Sequence, residues 1–246
     1  MGISDDIELQ REYYARTAAE YDSCHVGPAE PEHDFALCLL GGVIQENTYR
    51  SFLDVGAGTG RGMAWISSHY PDAVVQGVEP VAELREIAYR KGIPPNQLTE
   101  GDANQLAFPD DSFDCVLALG IMHHLPDPRR ALAEMVRVSR KAVFISDLNN
   151  FGCGGKAQKG FAHVLRALGL WRGFQYLKNG FKHAKYSEGD GIHYSYSILD
   201  DVPFLASLGC RTYIFGITPC RHASLLWGGS HAGVLAIKQV GGLKAP

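Results

Sequence analysis

Several absences narrow the reading of this sequence before any motif does. The six cysteines (Cys24, Cys38, Cys115, Cys153, Cys210, Cys220) include no C-x-x-C pair and no Cys/His spacing of a zinc site. They are therefore expected to be reduced, and no metal is assigned to them. No apolar run approaches the length of a membrane span, and Met1 to Glu20 is polar and charged. Stable membrane insertion is not expected, and a cytoplasmic location is. A basic excess is missing too: the formal net charge is −4, which argues against a general nucleic-acid binder. Internal repeats and low-complexity tracts are absent. What remains is a chain of 246 residues, 46% hydrophobic, able to bury a full core as one large domain or as a domain plus a lid.

The most informative stretch is Leu53-Asp54-Val55-Gly56-Ala57-Gly58-Thr59-Gly60. Ser51 to Val55 reads as a buried strand and Arg61 to His69 as a helix, so the glycines fall at a strand-to-helix corner where an α/β sheet opens its ligand crevice. A dinucleotide fingerprint needs G-x-G-x-x-G, but Arg61 stands in the place of the third glycine. The carboxylate of Asp54 disfavours a pyrophosphate and suits the ammonium and sulfonium charges of S-adenosylmethionine. The plain alternative is a turn that binds nothing.

Strand and helix signals alternate from residue 50 to about 147, the signature of a parallel sheet with crossover helices. Strands are expected at Phe52 to Val55, Val74 to Val78, weakly at Gln97 to Glu100, at Phe113 to Leu119 and at Ala142 to Ser146. Helices are expected at Ala82 to Lys91, after Pro80 and before Gly92, and at Pro128 to Arg140, after Asp127. Ser197 to Leu208 reads as a helix stopped by Gly209, and Arg211 to Ile217 and Gly233 to Gln239 as two strands able to pair antiparallel. Residues 148 to 190 show no strand alternation.

Acids follow three successive strands. Glu79, in Val78-Glu79-Pro80, is placed to take both ribose hydroxyls; the alternative is an acid stabilised by a helix N-terminus. Asp102, in Glu100-Gly101-Asp102-Ala103, can accept from an adenine amino group, or can simply be a loop cap. With Asp54 they mark strand ends that converge on one crevice.

These residues, together with Phe108-Pro109-Asp110-Asp111-Ser112-Phe113-Asp114 and His123-His124-Leu125-Pro126-Asp127-Pro128, resemble the class I S-adenosylmethionine-dependent methyltransferases. The likeness covers residues 50 to 147. A weaker one extends to Tyr14-Ala15-Arg16-Thr17-Ala18-Ala19-Glu20-Tyr21-Asp22, which resembles the segment preceding the core in small-molecule members. The resemblance implies a Rossmann-like three-layer α/β sandwich whose seven-stranded, mostly parallel sheet has an antiparallel last strand. It implies that Asp54, Gly56 and Gly58, with Ala57, line the methionine moiety. Glu79, beside Pro80, would hold the ribose, Asp102 and Ala103 would frame the adenine, and the backbone at Leu119-Gly120 would meet the methionine amino group. Tyr14 or Tyr21 would close over the cofactor. One departure is Ser139-Arg140-Lys141-Ala142, where many relatives carry Lys-Pro-Gly-Gly; it shortens a turn remote from the cofactor.

The acceptor is less legible. Methyl transfer from a sulfonium is an in-line displacement, so alignment and exclusion of water matter most, and a hydroxyl acceptor also gains from a base. His123 and His124, after the fourth strand, and His193 are the candidate bases; each has an ordinary structural alternative as a turn or buried histidine. From Phe151 to Ser187 there are seven basic residues (Lys156, Lys159, Arg166, Arg172, Lys178, Lys182, Lys185) and no acid. Aromatics are interleaved with them, as in a lid over an anionic substrate, although a solvated face, helix packing by Phe161, Val164, Leu165 and Leu168, or an amphipathic membrane-surface element would share that composition. Arg166 and Arg172 suit a carboxylate or phosphate better than the lysines do. Tyr194 and Tyr196 are expected to line the acceptor wall.

The expected organisation is therefore an N-terminal helical segment plus cofactor-binding core over residues 1–147, a basic aromatic lid over 148–196, and a C-terminal helix and strands completing the sheet over 197–246. The expected activity is methylation, on oxygen, of a small anionic or sugar-like secondary-metabolite acceptor. N- or C-methylation, or a catalytically silent protein using the basic lid for a membrane or partner, are the alternatives. No clustered carboxylate set suggests metal assistance.

Overall fold

The computed structural model describes residues 3–152, 154–219 and 224–239, apart from the side chains of residues 3, 4, 29 and 172. In chain order, helices α1 (Ile3–Thr17), α2 (Tyr21–His25) and α3 (Pro31–Asn47) precede strand β1 (Ser51–Val55). Then follow α4 (Arg61–His69), β2 (Val74–Val78), α5 (Ala82–Arg90), β3 (Leu98–Thr99), β4 (Phe113–Leu119), α6 (Pro128–Val138) and β5 (Ser139–Leu148). The remainder comprises α7 (Lys156–Ala167), α8 (Trp171–Lys178), β6 (Ala184–Ser187), β7 (Gly191–Tyr194), α9 (Val202–Ser207), β8 (Cys210–Gly216) and β9 (His231–Lys238).

Seven strands form one sheet in the order β3-β2-β1-β4-β5-β9-β8. Strands β1 to β5 run parallel, whereas β9 lies antiparallel to both β5 and β8. The order reverses between β1 and β4, so the crevice at the carboxyl ends of these two strands is where an open α/β sheet binds its ligand.

The two-residue period of the strands sorts the core into two faces. Val116 and Ala118 of β4 and Val143 and Ile145 of β5 pack with Leu132 and Met135 of α6 and Leu205 of α9. Their neighbours Cys115, Leu117, Ala142 and Phe144 pack on the opposite face with Leu37, Leu40 and Ile44 of α3 and Met63 and Ile66 of α4. Helices thus cover both faces, making three layers.

The structure corrects three expectations. Residues 184–187, inside the stretch 148 to 190 expected to be strandless, form an antiparallel hairpin with 191–194 just beyond it. Its strands are short and polar, and Ser187 pairs with Gly191 across a three-residue loop, with Gly191 at φ 67°, the left-handed position such loops require. The helix expected over Ser197 to Leu208 begins only at Val202, after a 3-10 turn at Ile198–Asp201. Pro203 lacks an N–H and belongs in a first helical turn, which delays the start. Strand β3 shrinks to two residues.

Candidate active site

The glycine turn makes the floor of the crevice. Gly56 and Ala57 both donate backbone N–H bonds to Val78 O, tying the turn to the end of β2. Gly58 is in the left-handed region at φ 56°, and a Cβ there would lie 2.8 Å from Tyr21 Oη. At Gly62 a Cβ would lie 2.5 Å from Asp54 Oδ2. Those two glycines leave room for a phenol and a carboxylate against the backbone.

Asp54 is 2% exposed, and its Oδ2 has no hydrogen-bond partner among the described residues. Burial, opposed by Arg61 and the Met63 N–H, pushes its pKa up to about 7. An unpartnered buried carboxylate oxygen beside a glycine floor can receive a cationic group. Glu79 is buried as well, its two oxygens accepting from Gly58 N and Val81 N, each at 2.9 Å. Each carboxylate oxygen has a second lone pair, so a ribose diol can still be held there. Pro80, which follows Glu79, is partly buried and lines neither cavity described below. Asp102 is half-exposed, accepts from Asn104 N at 2.8 Å and lies 3.7 Å from Arg11; Ala103 beside it packs against the core.

Helices α1 and α2 lie over this floor. Tyr21 sits on Gly58, and Asp22 accepts from Thr59 Oγ1 at 2.5 Å and pairs with Lys91 Nζ at 2.6 Å. Tyr14 is turned away from the glycine turn: its hydroxyl lies 3.0 Å from His124 Nε2 and 3.3 Å from Asp190 Oδ1. Of the two tyrosines, Tyr21 meets the turn and Tyr14 meets the histidines.

A cavity of about 250 Å³ joins the two halves of the site. Leu119 and Gly120, at the end of β4, line it from the floor side; His123, Asp147, Gly189 and Asp190 line it from the other, beneath Tyr14 and Tyr21. His123 Nδ1 is 2.8 Å from Asp147 Oδ1, and Asp147 also accepts from Met122 N and Leu148 N. Burial alone would lower the pKa of His123, but the Asp147 and Asp190 carboxylates override it and raise it. Burial and the neighbouring His123 charge lower that of His124. Opposite them, His33 is 2.7 Å from Ser146 Oγ, and burial lowers its pKa to about 3.

The sequence-derived acceptor residues divide. His123 and His124 come together with Asp190, whereas His193 stands on β7 opposite Lys185 and lines neither this cavity nor the larger one. Tyr194 and Tyr196 line that second cavity, of about 930 Å³, between α8, the hairpin and the Leu125–Arg129 loop. Arg166 packs over the Phe151 ring at 3.6 Å and the Trp171 ring at 4.7 Å, and lines neither cavity. The side chain of Arg172 lies outside the described residues. Asp147, Asp190 and Gln10 were not singled out as site residues. Asp147 carries the signal that marks Asp54, Glu79 and Asp102, an acid at the carboxyl end of a strand. Gln10 donates to Asp190 O at 3.1 Å and accepts from Ile192 N, so α1 holds the hairpin against the site.

Residues 53–145 match the family model of a methyltransferase domain. A phosphatidylethanolamine N-methyltransferase from Cereibacter sphaeroides is 36% identical over 104 residues, 40% of this chain and 50% of that protein. The O-methyltransferase cnsE from Penicillium expansum is 37% identical over 103 residues, 39% of this chain and 37% of its own length. The chain thus spans half or less of the length of these two relatives. Among solved structures, magnesium protoporphyrin IX methyltransferase from Synechocystis PCC 6803, with bound S-adenosylmethionine, is similar with a TM-score of 0.60 at 14% identity, over 95% of this chain and 97% of that one. At that identity the likeness is one of fold.

Proposed function

For a chain that belongs to the class I S-adenosylmethionine-dependent methyltransferases, we propose a role as an O-methyltransferase of a small, polar, hydroxylated acceptor of the sugar-like kind. One observation carries the reading: a single cavity of about 250 Å³ is lined by Leu119 and Gly120 on the cofactor side and by His123, Asp147 and Asp190 on the other. That volume suits a compact acceptor, and the lining is mostly polar. Of the two acceptor classes left open by the sequence, the carboxylates Glu30, Asp147 and Asp190 in the wall favour hydroxyls over an anion.

Bound S-adenosylmethionine supplies a methyl group on a positively charged sulfur. Asp54 and the Leu119-Gly120 backbone would hold its methionine end, Glu79 its ribose, and Asp102 with Ala103 its adenine. Tyr21 covers the turn and keeps water from it. Asp190 and His123 give the acceptor hydroxyl its hydrogen bonds, which turns an oxygen lone pair toward the cofactor side. As the acceptor oxygen takes the methyl group and the methyl–sulfur bond breaks, the hydroxyl proton passes to the His123–Asp190 pair in the cavity wall. Residues 148–196 act in this reading as a lid whose hairpin delivers Asp190.

The test is calorimetric titration with S-adenosylhomocysteine, followed by incubation with methyl-labelled cofactor and a panel of polyols, sugars, amines and carboxylic acids. Labelled methyl ethers support the reading. Methylamine products alone, or no S-adenosylhomocysteine binding at millimolar ligand, would overturn it.

A further inference from the structure

Two imidazoles and a carboxylate face one another at the acceptor end of the site with their lone pairs inward. His124 Nδ1 lies 2.7 Å from Ile192 O, and a carbonyl can only accept, so this nitrogen carries the hydrogen. The Gln10 amide nitrogen is near the same atom, but farther, at 3.0 Å. His123 Nδ1 is fixed in the same sense by Asp147, a fully buried carboxylate. With the rings neutral, the lone pair is therefore on Nε2 in both, and that of His124 is within reach of the Tyr14 hydroxyl at 3.0 Å. Each Nε2 lies 3.3 Å from an oxygen of Asp190, His123 from Oδ2 and His124 from Oδ1. Three acceptors turned toward each other repel unless positive charge lies between them, as protons or as a metal ion.

The spacing and the supporting contacts favour the ion. We infer that His123, His124 and Asp190 form a binding site for a divalent transition-metal cation of the zinc class. Two ligands about 2.0–2.1 Å from a cation at a tetrahedral angle are about 3.4 Å apart, close to the separations from Asp190 to both rings. The ligand atoms of the three residues all lie within 4.8 Å of one another. Metal-bound histidines characteristically give their other N–H to a carboxylate or a backbone carbonyl, and here His123 has the first and His124 the second. Two imidazoles with one carboxylate suit zinc or ferrous iron rather than magnesium or calcium.

Two of the three ligands, His123 and Asp190, line the cavity of about 250 Å³, and so does Tyr14. Tyr14 Oη lies 3.0 Å from His124 Nε2 and 3.3 Å from Asp190 Oδ1, so the phenol adjoins two of the three ligands. This assignment goes beyond the proposed O-methylation and does not depend on it, since the site is defined by its ligands alone.

Cobalt(II) and zinc, each as the metal alone, are titrated into chelator-stripped full-length protein, by visible absorption for cobalt and by calorimetry for zinc. About one equivalent should bind, with an intense visible cobalt band of four- or five-coordinate geometry. Asp190→Asn and His124→Ala should each weaken zinc binding by at least about tenfold, and Asp147→Asn by about 10–100-fold through the His123 ring. S-adenosylhomocysteine titration of the same variants reads the cofactor site separately and should change less than about twofold. The inference is overturned by no cobalt band and no zinc binding at millimolar metal in the unaltered protein. It is equally overturned by zinc affinity that Asp190→Asn leaves unchanged. Because Asp190 is partly exposed, that variant stays informative if a buried histidine variant fails to fold.

Discussion

Asp147 Oδ1 and His123 Nδ1 are joined at 2.8 Å in a pair whose carboxylate is wholly buried and whose imidazole is a tenth exposed. Burial alone would raise the pKa of Asp147, but His123 and the N–H groups of Leu148 and Met122 hold it below the ordinary carboxylate value. Removing the acid leaves an imidazole and two backbone donors without their acceptor. Asp147→Ala should therefore cost about 3–5 kcal/mol of stability. Urea unfolding measures this, and a change below about 1 kcal/mol would show the pair to be dispensable to the fold.

In the proposed cofactor site, Asp54 would tie cofactor binding to pH. Its pKa is raised by burial to about 7, well above the ordinary 3.8, so the folded chain binds this proton more tightly than the unfolded one. The stability it contributes is complete below about pH 4 and is lost as pH rises through about 7. A ligand ammonium beside the carboxylate reverses that loss. The rise in melting temperature on adding S-adenosylhomocysteine should be larger at pH 8 than at pH 5.5, and Asp54→Asn should abolish the difference. Equal shifts at both pH values in the unaltered protein would refute the link.

Gly58 is held at φ 56° with Tyr21 Oη 2.8 Å from the position of a Cβ. Gly58→Ala should destabilise the protein by about 1 kcal/mol or more through its backbone conformation. It should also weaken S-adenosylhomocysteine binding by at least about tenfold, because the tyrosine must move. The double variant with Tyr21→Ala relieves the clash and should recover part of the affinity; no recovery would mean that the backbone alone is responsible.

Much of the crevice around the glycine turn is legible in the sequence because its signals are local. Asp54, the glycines and Arg61 stand within a few residues of one another, and Glu79 follows its strand directly. The alternating faces of β4 and β5 are likewise written in Cys115 to Leu119 and Ala142 to Ile145. The acceptor half depends on residues distant in the chain. Asp190, between two glycines, reads as a turn residue, and nothing near it announces the histidines that it meets. Asp147 is hidden because the apolar run of β5, Ala142 to Ile145, stops short of it, while the strand continues to Leu148. Tyr194 was assigned to the acceptor wall on its chemistry, but strand alternation points it at the larger cavity, with Ile192.

Arg166 is engaged by rings, at 3.6 Å from Phe151 and 4.7 Å from Trp171. A cation over aromatic faces contributes about 0.5–2 kcal/mol, and here it links α7 to the start of α8. Arg166→Ala should make residues 151–187 more susceptible to limited proteolysis while leaving S-adenosylhomocysteine affinity unchanged. An unchanged digestion pattern together with a large rise in the acceptor KM would instead place Arg166 on the substrate.

For the proposed cofactor site, the roof made by Tyr21 and Asp22 over the glycine turn predicts an order of events in turnover. A cofactor held as proposed would lie between the Asp54 floor and α2, whose Asp22 bonds Thr59 and Lys91 and whose Tyr21 also lines the acceptor-side cavity. Steady-state kinetics should accordingly show compulsory order, with the cofactor first on and its demethylated product last off. That product should compete with the cofactor and not with the acceptor.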